Sequence, residues 1–340
     1  MKNLILTAFL CCIINLVFSQ NSDSTQYYFQ RGLAETDARL YAVAEKNFDK
    51  AIQFNPNFAE AYLAKGKVNL EMSKIYEAGQ NFTKAYQLQP DNNEVIKQLA
   101  SFSFNNRQYQ KAIDLVQKCS NCADADRILG MSYYHTEDYG KAEKYLLSAI
   151  AKNDKDADAA YTLGRTYLEL ENEKNAIPQF KKAITLDPSR NVWMYELGLI
   201  YYNQNDYKNA LKFFNMAGEN GYNKTNDYYE NYGFAQLYTG DTENGLKTLT
   251  LILERKPNNK ELLNDIAYAM YTTQHYQEAL NYYEKLLSIN SKDAASLFMA
   301  GMTFQKMGQK EKGQSICDKA IAMDPSLARN RQKKDIPMGM

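Results

Sequence analysis

Several things that catalysis or nucleic-acid binding would need are scarce in this chain of 340 residues. It has two histidines, His135 and His275, far apart in sequence and without a neighbouring nucleophile or acid to work with. Excess charge of either sign is missing, because 40 Lys and Arg balance 40 Asp and Glu. No basic field therefore exists to hold nucleic acid or an anionic membrane. Cysteine numbers five, and two of these, Cys11 and Cys12, fall in an apolar leader. Glycine is never clustered into a phosphate-cradling loop, and after the first nineteen residues no long apolar run occurs. These absences argue against an enzyme, a cofactor, a small-molecule substrate and a metal site.

What is present is a period. In Ala157–Arg190, Ala160, Leu163, Gly164 and Tyr167 share one helical face, and Ala176, Phe180, Ala183 and Ile184 share another. Asn172 separates the two helices, and Asp187-Pro188 ends the pair. The place of Ala176 is held along the chain by Ala44, Ala78, Ala112, Ala142, Ala210, Gly245, Ala279 and Gly313, at steps of 34 residues except for one of 30 and one of 35. The place of Gly164 is held by Gly32, Gly66, Ala100, Gly130, Gly198, Gly233, Ala267 and Gly301. The place of Phe180 is held by Phe48, Phe82, Val116, Leu146, Phe214, Leu249, Tyr283 and Cys317. Small residues let two helices approach, and large ones fill the gap beside them.

At these columns the chain resembles the tetratricopeptide repeat family, whose unit is a 34-residue helix–turn–helix. The resemblance covers Thr25 to Leu327 in nine units: 25–58, 59–92, 93–122, 123–156, 157–190, 191–225, 226–259, 260–293 and 294–327. It implies an all-α solenoid wound as a right-handed superhelix. One such hairpin cannot bury its own apolar face, so the array needs its neighbours. The tail, residues 328–340, is expected to be disordered. The solvating helix usual after the last unit is not readable. That gap leaves end-to-end self-association open, although Gln314, Asp318 and Lys319 make the last helix polar enough to stand bare.

The leader MKNLILTAFLCCIINLVFS, residues 1–19, has one charge, Lys2, and an apolar stretch shorter than the ~20 residues a spanning helix needs. Val17 and Ser19 are small enough for cleavage before Gln20. The expectation is an exported protein, in the periplasm or envelope of a Gram-negative bacterium. In that compartment Cys119 and Cys122 are candidates for a local disulfide closing the shortened third unit. A zinc half-site would need two further ligands that the sequence does not offer nearby. A redox pair would need a strand–helix setting. Cys119 is expected at a buried small-residue place, and Cys317 in the core. Asp154, Asp156 and Asp158 read as a solvated turn and helix start. The remaining carboxylates read as solvent-facing.

In the family, first helices line a concave wall that holds a peptide segment or partner helix. Carried over column by column, the resemblance implies partner-binding residues Arg127, Tyr134, Tyr161, Arg165, Tyr195, Tyr202, Phe234, Tyr238, Tyr268 and Tyr271. Aromatics and Arg dominate interface energies, although some of these rings could instead pack between units. The Lys–Asn–Arg clamp by which chaperone-binding members hold a terminal carboxylate does not recur at three successive units. The implied function is a protein-binding scaffold or adaptor. The alternatives are a thiol–disulfide protein using Cys119 and Cys122, and a self-associating structural component.

Overall fold

The structure, a computed structural model, describes residues 22–122 and 124–332. The expected leader, residues 1–19, lies outside the described residues. Among the described residues the chain is all-α, and its helices succeed one another as hairpins. In order these are α1 (22–37) with α2 (Tyr41–Phe54), α3 (Ala59–Glu71) with α4 (Ile75–Leu88), and α5 (Asn93–Asn105) with α6 (Tyr109–Val116). Next come α7 (Ala125–His135) with α8 (Tyr139–Lys152), α9 (Ala157–Glu169) with α10 (Glu173–Leu186), and α11 (Asn191–Asn203) with α12 (Tyr207–Glu219). The last are α13 (Asn226–Tyr238) with α14 (Thr242–Arg255), α15 (Lys260–Thr272) with α16 (Tyr276–Ile289), and α17 (Ala294–Lys306) with α18 (Lys310–Met323). The chain parts into two compact units between Gln179 and Phe180, inside α10. No described helix is long and apolar enough to cross a membrane.

Each hairpin turns in the same way. The second residue after each first helix has a left-handed backbone: Arg39, Ser73, Arg107, Glu137, Glu171, Asn205, Gly240, Gln274 and Gly308. Around it the backbone closes a Schellman motif. In the fourth hairpin the Asp138 amide donates to the Tyr133 carbonyl (3.0 Å) and the Glu137 amide to the Tyr134 carbonyl (3.1 Å). Asp138 then caps α8, its carboxylate accepting from the Lys141 amide at 3.2 Å. One three-residue turn thus ends one helix and starts the next. Between hairpins, Asn92, Asp156, Thr225, Asn259 and Asp293 cap the next first helices with their side chains.

The contact that closes each hairpin is equally regular. A Cβ added to Gly32 would meet the Phe48 ring, one on Gly66 the Phe82 ring, and one on Gly198 the Phe214 ring at 2.5 Å. Gly130 and Gly233 have the same relation to Leu146 and Leu249. These large residues are fully buried. In the third hairpin Ala100 takes the glycine place, and the smaller Val116 takes the ring place. In the seventh, Gly245 on the second helix makes room for Leu237 from the first, so the small residue expected there has its reason.

In the first unit a polar seam joins the first two hairpins. Asn81 donates to Asn69 (2.9 Å), Asn69 to Glu45 (2.7 Å), and Lys74 reaches the other Glu45 oxygen at 2.6 Å. Burial pushes the Glu45 carboxyl up, but the bonds from Lys74 and Asn69 outweigh it and hold the group below its ordinary range.

The third hairpin departs from the pattern. Its second helix, α6, stops at Val116 after 8 residues. Cys119 and Cys122 are joined as a disulfide in the turn beyond it. Cys119 is therefore half-buried past the helix end, not at a core place on it. The four missing residues leave no room for a full helix. Instead the two sulfurs lie against the start of α5, Cys119 Sγ 3.2 Å from Asn93 Oδ1 and Cys122 Sγ 3.5 Å from the Asn93 carbonyl. Cys317 is fully buried in the last hairpin with Phe298, Ala320 and Leu327.

A 3-10 segment runs over Pro325–Gln332 and so takes in the start of the tail, residues 328–340. Leu327, buried against α17 and α18, anchors it, and Asp324 starts the turn by accepting from the Ser326 amide at 2.9 Å. The remainder lies outside the described residues.

Two stability changes are expected from these contacts. Gly198→Ala should destabilise the protein by about 1–3 kcal/mol, because the new methyl meets a ring that cannot move away. Chemical denaturation of the two proteins measures this. Glu137→Gly should stabilise it by about 1 kcal/mol, since glycine carries no Cβ penalty in the left-handed region. A lower unfolding midpoint for Glu137→Gly contradicts the turn geometry.

Candidate partner-binding wall

First helices of successive hairpins touch one another, α5 with α7 and α7 with α9 in the first unit, α11 with α13 and α13 with α15 in the second. Second helices of successive hairpins approach less closely. The first helices therefore form the tighter side of each unit, and their outward residues share one wall.

In the first unit Arg127 is already engaged. Its Nε lies 2.6 Å from Asp156 Oδ2 and its Nη2 3.6 Å from Asp158 Oδ2. The acidic turn read from the sequence is thus the N-cap of α9 and the counter-charge of Arg127. Arg165 Nη1 donates to the Tyr161 hydroxyl at 3.2 Å, one turn apart on α9, and both are partly exposed. Tyr134 packs edge-on to His135, which stacks on Tyr109 with centroids 4.3 Å apart. Burial and then the Arg107 charge hold the His135 imidazole below its ordinary range. A separate open cleft of about 730 Å³ lies between α4, α5 and α6, lined by Ile75, Tyr76, Gly79 and Phe102.

In the second unit two of the residues carried over by resemblance are buried. Tyr195 is 8% exposed, stacked on Tyr222 at 4.4 Å and accepting from Asn231 Nδ2 at 3.0 Å. Phe234 is 6% exposed and belongs to the core. Neither ring offers a face to a partner. Tyr195 is covered by Tyr222, from the turn after α12, and by Tyr228 of α13. Tyr202, Tyr238, Tyr268 and Tyr271 are partly exposed. Tyr238 stacks on Tyr207 at 4.6 Å, and Tyr207 meets Tyr202 edge-on at 5.4 Å.

Among these rings stand carboxylates that a column reading passes over. Glu230 holds in α13 the place of Arg127, Tyr161 and Tyr195, and Asp265 stands on α15, the next first helix, which α13 touches. Both are half-buried, not solvent-facing. Burial, then Asp265, Asp227 and Glu261, pushes the Glu230 carboxyl above its ordinary range. Burial, then Glu261, does the same to Asp265. Burial raises Tyr202 strongly, and Tyr238 is pushed up to about 12 by burial and then by Tyr207, Tyr268 and Asp265. Among the described residues no Lys or Arg forms an ion pair with Glu230 or Asp265. No described group of three or more His, Cys, Asp and Glu is arranged to hold a metal ion.

Models of the tetratricopeptide repeat match residues 59–92, 104–160, 129–191, 161–223, 261–293 and 294–327. The chain belongs to the tetratricopeptide repeat family. Comparison with curated proteins gives no match. Among solved structures, the chain is similar to the C-terminal part of a TPR repeat-containing protein from Cytophaga hutchinsonii. That match has 20% identity, 71% of this chain, all (100%) of that one and a TM-score of 0.49. It is also similar to the TPR domain of P58(IPK), at 17% identity over 91% of this chain and 99% of that one, with a TM-score of 0.29. A third is a dimer of human IFIT1 with PPP-AAAA, at 15% identity over 88% of this chain and 72% of that one, with a TM-score of 0.41. Similarity at this level identifies no partner or pathway. Tetratricopeptide arrays in general are non-enzymatic scaffolds that bind proteins.

The raised carboxylates set the sign of a pH effect. Glu230 and Asp265 hold protons more tightly in the native state than in the unfolded chain. Their contribution is thus most favourable below the ordinary values of 4.5 and 3.8 and is lost as pH rises through the native ones. The double variant Glu230→Gln/Asp265→Asn is expected to melt higher than wild type at about pH 7 and equally at about pH 3, where both groups are already neutral. Thermal melts at the two pH values check this, and a variant that melts lower at neutral pH contradicts it.

Proposed function

We propose that this tetratricopeptide protein is an exported scaffold that captures an extended or helical segment of a protein partner on the first-helix wall of a unit. The observation that carries the reading is the set of partly exposed tyrosines on first helices. Tyr161, Tyr202, Tyr238, Tyr268 and Tyr271 stand on helices whose turns and core contacts are fixed, so little ordering is left to lose on binding. Each ring supplies contact area at low entropy cost and keeps a hydroxyl for a hydrogen bond.

Export to a Gram-negative envelope is supported by the leader pattern of residues 1–19. It is also supported by the Cys119–Cys122 disulfide, which suits an oxidising compartment. Assembly or secretion machinery would be a setting for such a scaffold.

The test is crosslinking and affinity capture from the native envelope with wild type beside the variant Tyr161→Ala/Tyr238→Ala/Tyr268→Ala. A partner captured by wild type and lost from the variant is the expected result. A partner retained equally by both moves the binding site off this wall.

A further inference from the structure

We infer that the wall of α11, α13 and α15 receives a lysine- or arginine-bearing segment of the partner, its cations seated between Glu230 and Asp265 against Tyr202, Tyr238 and Tyr268. The inference rests on the wall being the binding surface, as proposed above, and adds the chemistry of what is bound.

One column of the repeat holds a cation at two places in the first unit, Lys97 and Arg127, and a carboxylate, Glu230, in the second. Each of the two cations is neutralised by the acid that precedes the next first helix. Lys97 pairs with Asp124 at 3.8 Å and Arg127 with Asp156 at 2.6 Å. In the second unit the same column carries Glu230, and the residue before the next first helix is Asn259. The sign at the cation place is reversed, and the protein supplies no counter-charge to Glu230 or Asp265 among the described residues. A carboxylate pair kept half-buried without a cation costs stability. A cation arriving from outside would relieve that cost, because opposite charge placed between the two groups is worth most where water is already partly excluded.

The aromatic setting favours the same ligand. Tyr202 and Tyr238 both pack on Tyr207, edge-on and stacked, which fixes their positions on the wall. Lysine and arginine bind over tyrosine faces as well as to carboxylates, whereas an acidic segment would meet repulsion from both Glu230 and Asp265.

The experiment is selection of a phage-displayed random peptide library on the purified protein, with wild type, Glu230→Gln/Asp265→Asn and Tyr238→Ala as baits. Wild type is expected to select peptides enriched in Lys and Arg. The selected peptides, made synthetically, should bind the charge-neutralised variant roughly tenfold more weakly or worse, while that variant melts no lower than wild type. Peptides without basic enrichment that still lose binding to Tyr238→Ala overturn the cationic inference and leave the wall standing. Selected peptides that bind all three proteins alike, or no selected peptide at all, overturn both.

Discussion

A glycine on one helix facing a ring sixteen residues later on the next is the contact on which the array depends. Without a Cβ at Gly32, Gly66 or Gly198, the first helix can settle onto the face of Phe48, Phe82 or Phe214 and exclude water from it completely. Burying such a side chain is worth roughly 1.5–3 kcal/mol, and leucine takes the place of the ring against Gly130 and Gly233. The rest of the architecture serves this contact. The Schellman turn sets the distance between the two helices, and the alanine column lets the second helix lie close. The wall residues are what remains on the opposite side of the first helix once its inner side is committed.

Because that contact has a sequence signature, most of the fold is legible in the amino-acid order alone. Its period passes through the columns of small and large residues, and even the irregular third unit shows as a step of 30. The turns are less legible. Their left-handed position is occupied by Arg, Ser, Glu, Asn and Gln in most hairpins, and only Gly240 and Gly308 display the residue that would announce it. The extent of α6 is hidden because Cys119 sits in register with a helical column, although the chain has already left the helix there.

The wall is legible in outline and misleading in detail. Tyr195 and Tyr238 are both carried over by the resemblance, yet Tyr195 is covered by Tyr222 and Tyr228 while Tyr238 stays partly exposed. Arg127 looks like a partner-binding cation and is in fact occupied by the cap of the next helix. Glu230 escapes a column reading because carboxylates on helices are usually solvated. Its partial burial depends on neighbours from α11 and α15 that only the packed structure brings together. Aromatic pattern finds a surface, but charge pairing across neighbouring repeats decides which parts of it are already satisfied.

The short α6 also bears on how the first unit comes apart. In a linear array each hairpin shares stabilising energy only with its neighbours, so cooperativity is weakest where the interface is smallest. A helix of 8 residues offers less to both neighbours than its counterparts of 13 or 14. The cystine behind it closes a short turn in place of the missing helical turn, and its sulfurs lie against the start of the same hairpin at Asn93. The third hairpin is therefore the place where the first unit is expected to part first, its two leading hairpins fraying from those that follow.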